Sequence, residues 1–138
     1  MNISAIIENR RDSHTVTLAT NGRKHSLFIP PKSEGFGSSA NGGELLFLAL
    51  ATCYCNDLYR EARKRSIEIH SVRVEVTGEF GAEGEGARDL SYSASVEGSA
   101  SQDDLLALMR HTDTVAEIQN TLRSSVRVKF AQIHASTV

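Results

Sequence analysis

The chain has 138 residues, 40% hydrophobic and 23% charged, proportions that suit one soluble globular domain and exclude a largely disordered chain. Lys and Arg number 15 against 17 Asp and Glu, a formal net charge of −2, so no basic excess points to nucleic acid or an anionic membrane. The longest apolar run, Leu45 to Ala51, falls far short of the ~18 residues that span a bilayer.

In chain order, Met1-Asn2-Ile3-Ser4 lacks the basic and apolar regions of a secretory signal. Ile3, Ile6 and Ile7 open a strand that runs into a polar turn around Asn9–Ser13. Thr15 to Ala19 mixes β-branched and apolar residues and reads as a second strand. Asn21-Gly22 is a two-residue hairpin signal, with His25 to Ile29 as the return strand. Pro30-Pro31 ends that strand, since neither proline can donate to a ladder.

A Gly/Ser-rich loop covers residues 32–43, and a helix is expected from about Gly43 to Ser66. Its first half is apolar on every side over Leu45–Ala51 and should be buried all round. Its second half carries Arg60, Arg63, Lys64 and Arg65, favourable charge at the negative end of the helix dipole. Val72, Val74 and Val76 alternate with Arg73, Glu75 and Thr77, and Leu90, Tyr92, Ala94 and Val96 repeat the pattern. The stretch Gly78–Gly86 joins the two as a long hairpin. Ser101 with Asp104 marks a helix start, with Leu105, Leu106, Leu108 and Met109 as the apolar face. Thr114 with Glu117 has capping-box spacing for a second short helix. Val126, Val128 and Phe130 suggest a final strand. Strands in blocks around one long buried helix make an α+β fold, read as a single domain over residues 1–138.

Cys53 and Cys55 alone can do soft-nucleophile chemistry. Two residues apart on a helix, they point about 200° from each other, which opposes a mutual disulfide. They read either as small buried hydrophobes or as separate reactive thiols. A reactive Cys53, some three turns into the helix, would need an arginine from elsewhere in the chain to hold its thiolate. Two free thiols fit the reducing cytoplasm. His14, His25, His70, His111 and His134 show no metal-ligand spacing, and the loop Gly35-x-Gly37 completes no phosphate-binding motif. No GxSxG elbow is present. No cofactor and no metal are expected.

The stretch Asn41-Gly-Gly-Glu-Leu-Leu-Phe-Leu-Ala-Leu-Ala-Thr-Cys53 resembles the signature of the osmotically inducible protein C / organic hydroperoxide resistance (OsmC/Ohr) family, in which an N-P-E-x-L segment opens a long central helix leading to a cysteine. Ala116-Glu-Ile-Gln-Asn-Thr-Leu122 resembles that family's C-P-(V/I)-S-x-x-L segment. The order of elements matches over nearly the whole chain. The resemblance implies an intertwined homodimer, with two long central helices wrapped by antiparallel sheets. It also implies a peroxidase cycle in which a thiolate cleaves a small organic hydroperoxide, a second cysteine condenses with the sulfenic acid, and a dithiol reductant resets the pair. An arginine stabilises the thiolate and a glutamate orients the arginine.

By that resemblance Cys53 takes the peroxidatic position and Arg11, in Arg11-Asp12-Ser13, the arginine, with Arg10 one register away. The glutamate position falls on Gly43, with Glu44 adjacent; the second cysteine falls on Ala116 and its following proline on Glu117. The two-cysteine cycle therefore cannot run as in the family. A one-cysteine cycle rescued by an outside thiol, recruitment of Cys55 as partner thiol, or a non-catalytic dimer that binds a small apolar or electrophilic ligand are the readings that remain. No nucleic-acid or membrane partner is expected.

Overall fold

A computed structural model describes residues 1–137. Their contacts gather into two compact units, Met1–Leu46 and Phe47–Val138.

The first unit is an antiparallel sheet of β1 (Ile3–Arg10), β2 (Ser13–Thr20) and β3 (Arg23–Ser26), in that order. Register runs from Ile3 opposite Thr20 to Arg10 opposite Ser13, which leaves Arg11 and Asp12 as a two-residue turn. Asp12 takes φ 60° there, a conformation Asp tolerates. Asn21 and Gly22 take φ 49° and 80°, as a type I′ hairpin turn requires. That tight turn puts Arg23 directly opposite Thr20, so the return strand starts at once and ends at Ser26. The expected span His25–Ile29 is therefore shifted: Leu27 donates one further bond to the Val16 carbonyl, and the chain then leaves toward Pro30. The loop after it is tied to the β1–β2 turn. The Asn9 side chain accepts from the Gly37 N–H and donates to its carbonyl, and the Asp12 N–H donates to Gly35.

Helix α1 (Gly42–Lys64) starts in a reciprocal cap. The Glu44 N–H donates to Asn41 Oδ1 at 2.8 Å, and the Asn41 N–H donates to Glu44 Oε1 at 2.9 Å. Two orphan donors of the first turn are thereby satisfied.

The second unit packs α1 against the hairpin β4 (Ile69–Phe80) and β5 (Ala87–Gly98), followed by α2 (Gln102–Val115) and α3 (Glu117–Arg123). The hairpin alternates as its sequence implies, Val72, Val74 and Val76 inward and Arg73, Glu75 and Thr77 outward. Tyr54, Leu58 and Ala62 of α1 and Leu108 of α2 form the core, with Val72, Val74, Tyr92, Ala94 and Val96 packed on it. Gly98 is required at the end of β5, because a Cβ there would lie 2.7 Å from the Glu68 carbonyl oxygen. Ser101 caps α2 through the Asp104 N–H, as expected.

Three further expectations are corrected. Within one chain the N-terminal half of α1 is not buried all round: α1 meets the hairpin along one stripe, and Leu48, off that stripe, is 55% exposed. Thr114 does not cap α3: α2 runs on to Val115, Thr114 donates to the His111 carbonyl, and Ala116 stands at the N-cap without a side-chain bond. No strand forms over Val126–Phe130; with no ladder partner along this segment among the described residues, Val128 and Phe130 are left 96% and 89% exposed.

Candidate functional site

Helical spacing builds the site. Cys53, Asp57, Arg60 and Glu61 recur at intervals of four, three and one residue, so they share a face of α1. Chain reversal between α2 and α3 brings Glu117 and Ile118 to that face. The Cys53 thiol donates to Asp57 Oδ2 at 3.4 Å, with Glu117 Oε2 at 3.7 Å, and its sulfur accepts from the Ile118 N–H at 3.5 Å. One S–H proton can serve only one of the two carboxylates at a time.

Arg60 holds the carboxylates from outside. Its Nη1 donates to Asp57 Oδ1 at 2.9 Å and Glu117 Oε1 at 3.0 Å, and its Nε donates to Glu61 Oε1 at 3.0 Å. Lys64 Nζ donates to the same Glu61 oxygen at 2.9 Å, and His111 Nε2 lies 3.4 Å from the other. These pairings let Asp57 and Glu61 remain in α1 at 6% and 4% exposure, because a buried carboxylate is tolerated only when paired and hydrogen-bonded.

The electrostatics follow. Burial pushes the Cys53 thiol above its ordinary value, the Ile118 N–H pulls it down, and the Asp57 and Glu117 carboxylates push it up further. Asp57 is raised, first by burial and then by the neighbouring Glu117 carboxylate. Glu117 is lowered, first by its hydrogen bond with Asp57. Of the pair, Asp57 is thus the more basic. Lys64 and then Arg60 hold Glu61 down at about 2.

The Cys53 sulfur and one oxygen each of Asp57 and Glu117 lie within 4.8 Å of one another, the one such cluster among the described residues. A thiolate with two carboxylates is a donor set a divalent cation could bridge. Arg60 already occupies an oxygen of each carboxylate, and its positive charge opposes a second cation there.

The family model for OsmC-like proteins matches residues 35–131. The chain belongs to the OsmC-like family. Comparison with curated protein sequences finds no match. Among solved structures, the chain is similar to an OsmC-like protein of Mycoplasma pneumoniae at 20% identity and a TM-score of 0.60, over 90% of this chain and 87% of that one. An OsmC-like hydroperoxide resistance protein of Jannaschia sp. is 11% identical at a TM-score of 0.58, over 98% and 94%. An organic hydroperoxide resistance protein of Elizabethkingia anophelis is 16% identical at 0.54, over 87% and 89%. The α+β architecture with antiparallel sheets is thus an OsmC-like fold, as the sequence implied.

The other candidate residues of this OsmC-like chain have different surroundings. Arg11 belongs to the first unit, where its guanidinium lies 5.3 Å over the Phe36 ring. Glu44 is engaged in the α1 cap, and Gly43 beside it has no side chain to offer. Ala116 is fully buried just before α3, two residues from the N–H that faces Cys53. Cys55 points away from the carboxylates into an open cleft with Ala51, Asn56, Val72 and Val74. Both thiols are free.

Sequence reasoning missed Asp57 and Arg60. Their signal was present: i+4 and i+7 from Cys53 place both on its face of the helix. Arg60 was read only as charge complementing the helix dipole, and Glu117 as a capping residue that stands at the family's proline position.

Proposed function

We propose that this OsmC-like protein is a thiol-based redox-stress protein in which Cys53 reduces small organic hydroperoxides in a one-cysteine cycle. The observation that carries the reading is the meeting of the Cys53 thiol with the Asp57 carboxylate at 3.4 Å, beside a backbone N–H. A resting thiol next to a carboxylate of raised basicity is arranged for proton transfer on demand. The sulfur attacks the distal oxygen of R–O–O–H, the O–O bond breaks, and its electron pair leaves with the R–O fragment. The thiol proton passes to Asp57 and on to the departing oxygen, which leaves as the alcohol R–OH. Cys53 becomes a sulfenic acid. With alanine at position 116, an outside dithiol displaces that oxygen as water through a mixed disulfide, then releases the Cys53 thiol and becomes oxidised. Arg60 holds the carboxylates in place; the resemblance gives a different role, stabilising the thiolate, to Arg11.

The working form proposed is a homodimer in the cytoplasm. Ile3, Ile6 and Ile7 of β1, Leu48 of α1, and Val126, Val128 and Phe130 leave apolar side chains exposed in one chain, and the unpaired alternating tail is suited to pair with a second copy. The two free thiols fit a reducing compartment.

The test is intact mass after one equivalent of cumene hydroperoxide with a sulfenate trap. Trapping should depend on Cys53, and Asp57→Asn should slow it by about ten-fold or more while the thiol itself titrates lower. Trapping no faster than free cysteine would end the catalytic reading. It would leave the second one, a non-catalytic dimer with Cys53 as a packed thiol, which the upward push on its ionisation favours.

A further inference from the structure

Helix α3 spans seven residues, too short to be stable alone, and Ala116 gives it no side-chain cap. Its Ile118 N–H nevertheless meets the Cys53 sulfur at 3.5 Å. Sulfur is a weak acceptor, so this contact does not by itself seat a helix.

Three side-chain ties reach α3. Arg123 donates to the Asp113 carboxylate at 2.7 Å and Asn120 Nδ2 to the Thr114 carbonyl at 3.0 Å, both on α2. Glu117 meets Arg60 of α1 at 3.0 Å. Arg123, Asn120 and Glu117 are exposed, and ties of that kind are worth little. The third tie is buried. Gln119, at 3% exposure, donates from Nε2 to the Leu50 carbonyl of α1 at 3.0 Å. Gln119 follows Ile118 directly, and Leu50 lies three residues before Cys53. The bond therefore joins the two helices within one turn of the N–H···S contact on either side.

Its value to the fold as a whole is small. The Leu50 carbonyl lies inside α1 and already accepts in the helix ladder. Gln119 Oε1 is buried without a partner among the described residues, which costs stability.

We infer that Gln119 is a positioning residue: its bond to the Leu50 carbonyl holds α3 against α1 and keeps the Ile118 N–H on the Cys53 sulfur. A donor on sulfur favours the thiolate. It acts against Asp57 and Glu117, the carboxylates that face the thiol, with Arg60 paired to both. The inference rests on Cys53 as the reacting thiol. Its test uses no hydroperoxide, so a thiol that fails to reduce peroxide and a residue that fails to position the thiol are separate results.

The experiment follows iodoacetamide alkylation of Cys53 in the full chain against pH by peptide mass, with Cys55 as internal reference. The midpoint reports ionisation and the plateau reports access. Gln119→Met keeps the length and loses the donor. Its midpoint should rise by about half a pH unit, about a three-fold loss of thiolate at pH 7, while the melting temperature holds. Where that variant does not fold, Gln119→Asn, which keeps the amide and loses the reach, carries the same test. Arg123→Met, which releases a tie to α2, should move the midpoint less than half as far. An unmoved or lowered midpoint at position 119, or an equal rise in Arg123→Met, overturns the inference: α3 is then seated by its other ties, and Gln119 only packs.

Discussion

In α1 the N-terminal half is apolar and partly wet, with Leu48 more than half exposed, whereas the C-terminal half is charged and keeps Asp57 and Glu61 inside. Leu50, Tyr54, Asp57, Leu58, Glu61 and Ala62 are the buried residues of this helix, and only one lies in the all-apolar run. Burial follows the stripe a helix turns toward its neighbours, not its local hydropathy. Charges enter that stripe when each finds a counter-charge, which Arg60 and Lys64 supply here. Cys53 stands where the two regimes meet, and so inherits carboxylate neighbours that an apolar helix would not give it.

The sharpest way to break this contrast is to truncate one leucine in each half. Leu58→Ala, in the fully buried core, should cost about 2–5 kcal/mol by urea unfolding. Leu48→Ala should stay within about 0.5 kcal/mol only if that face meets water in the working form as it does in one chain. A cost for Leu48 comparable to that of Leu58 would mean that a second copy covers the apolar half.

Acid unfolding probes the charged half. Glu61 is held at about 2, below the ordinary value of about 4.3, so its contribution to stability is present above that ordinary value. It is lost as pH falls from about 4.3 toward 2. The wild-type melting temperature should therefore drop across that window, and Glu61→Gln should flatten the drop. An unchanged slope would remove the Arg60–Glu61–Lys64 pairing from the stability of the helix.

At the junction, Asp57→Asn removes an acceptor and a charge that both raise the Cys53 thiol. Alkylation of Cys53 by iodoacetamide at pH 7 should accelerate by about three-fold. Slower alkylation would show that Asp57 does not set the thiol's ionisation. The smallest effect is expected at Cys55, which lies in a separate cleft. Cys55→Ser should leave Cys53 oxidation within about two-fold; a lost reaction would show that the two thiols communicate despite their opposite directions.

Much of the fold was legible in the residues because its signals are short-range. The Asn21-Gly22 turn, the inward row Val72, Val74 and Val76, and the Ser101 cap each depend on neighbours a few positions away. The Asn41–Glu44 cap was equally local, at N-cap to N3 spacing, and went unread only because Glu44 was considered for another role. The segment Val126–Phe130 carries strand alternation, but alternation cannot provide a partner strand.

The sequence alone determined that this chain has one long helix bearing Cys53, blocks of strands before and after it in the chain, and no thiol at position 116. Only the tertiary structure decided what surrounds that cysteine. Asp57 and Arg60 share its helix face, but Glu117 lies 64 residues further along the chain, and no local period encodes a contact of that range. The ionisation of Cys53 depends first on burial, then on the Ile118 N–H and Asp57, and least on that contact. These are properties of packed space, and they come into existence only when α3 folds back onto α1.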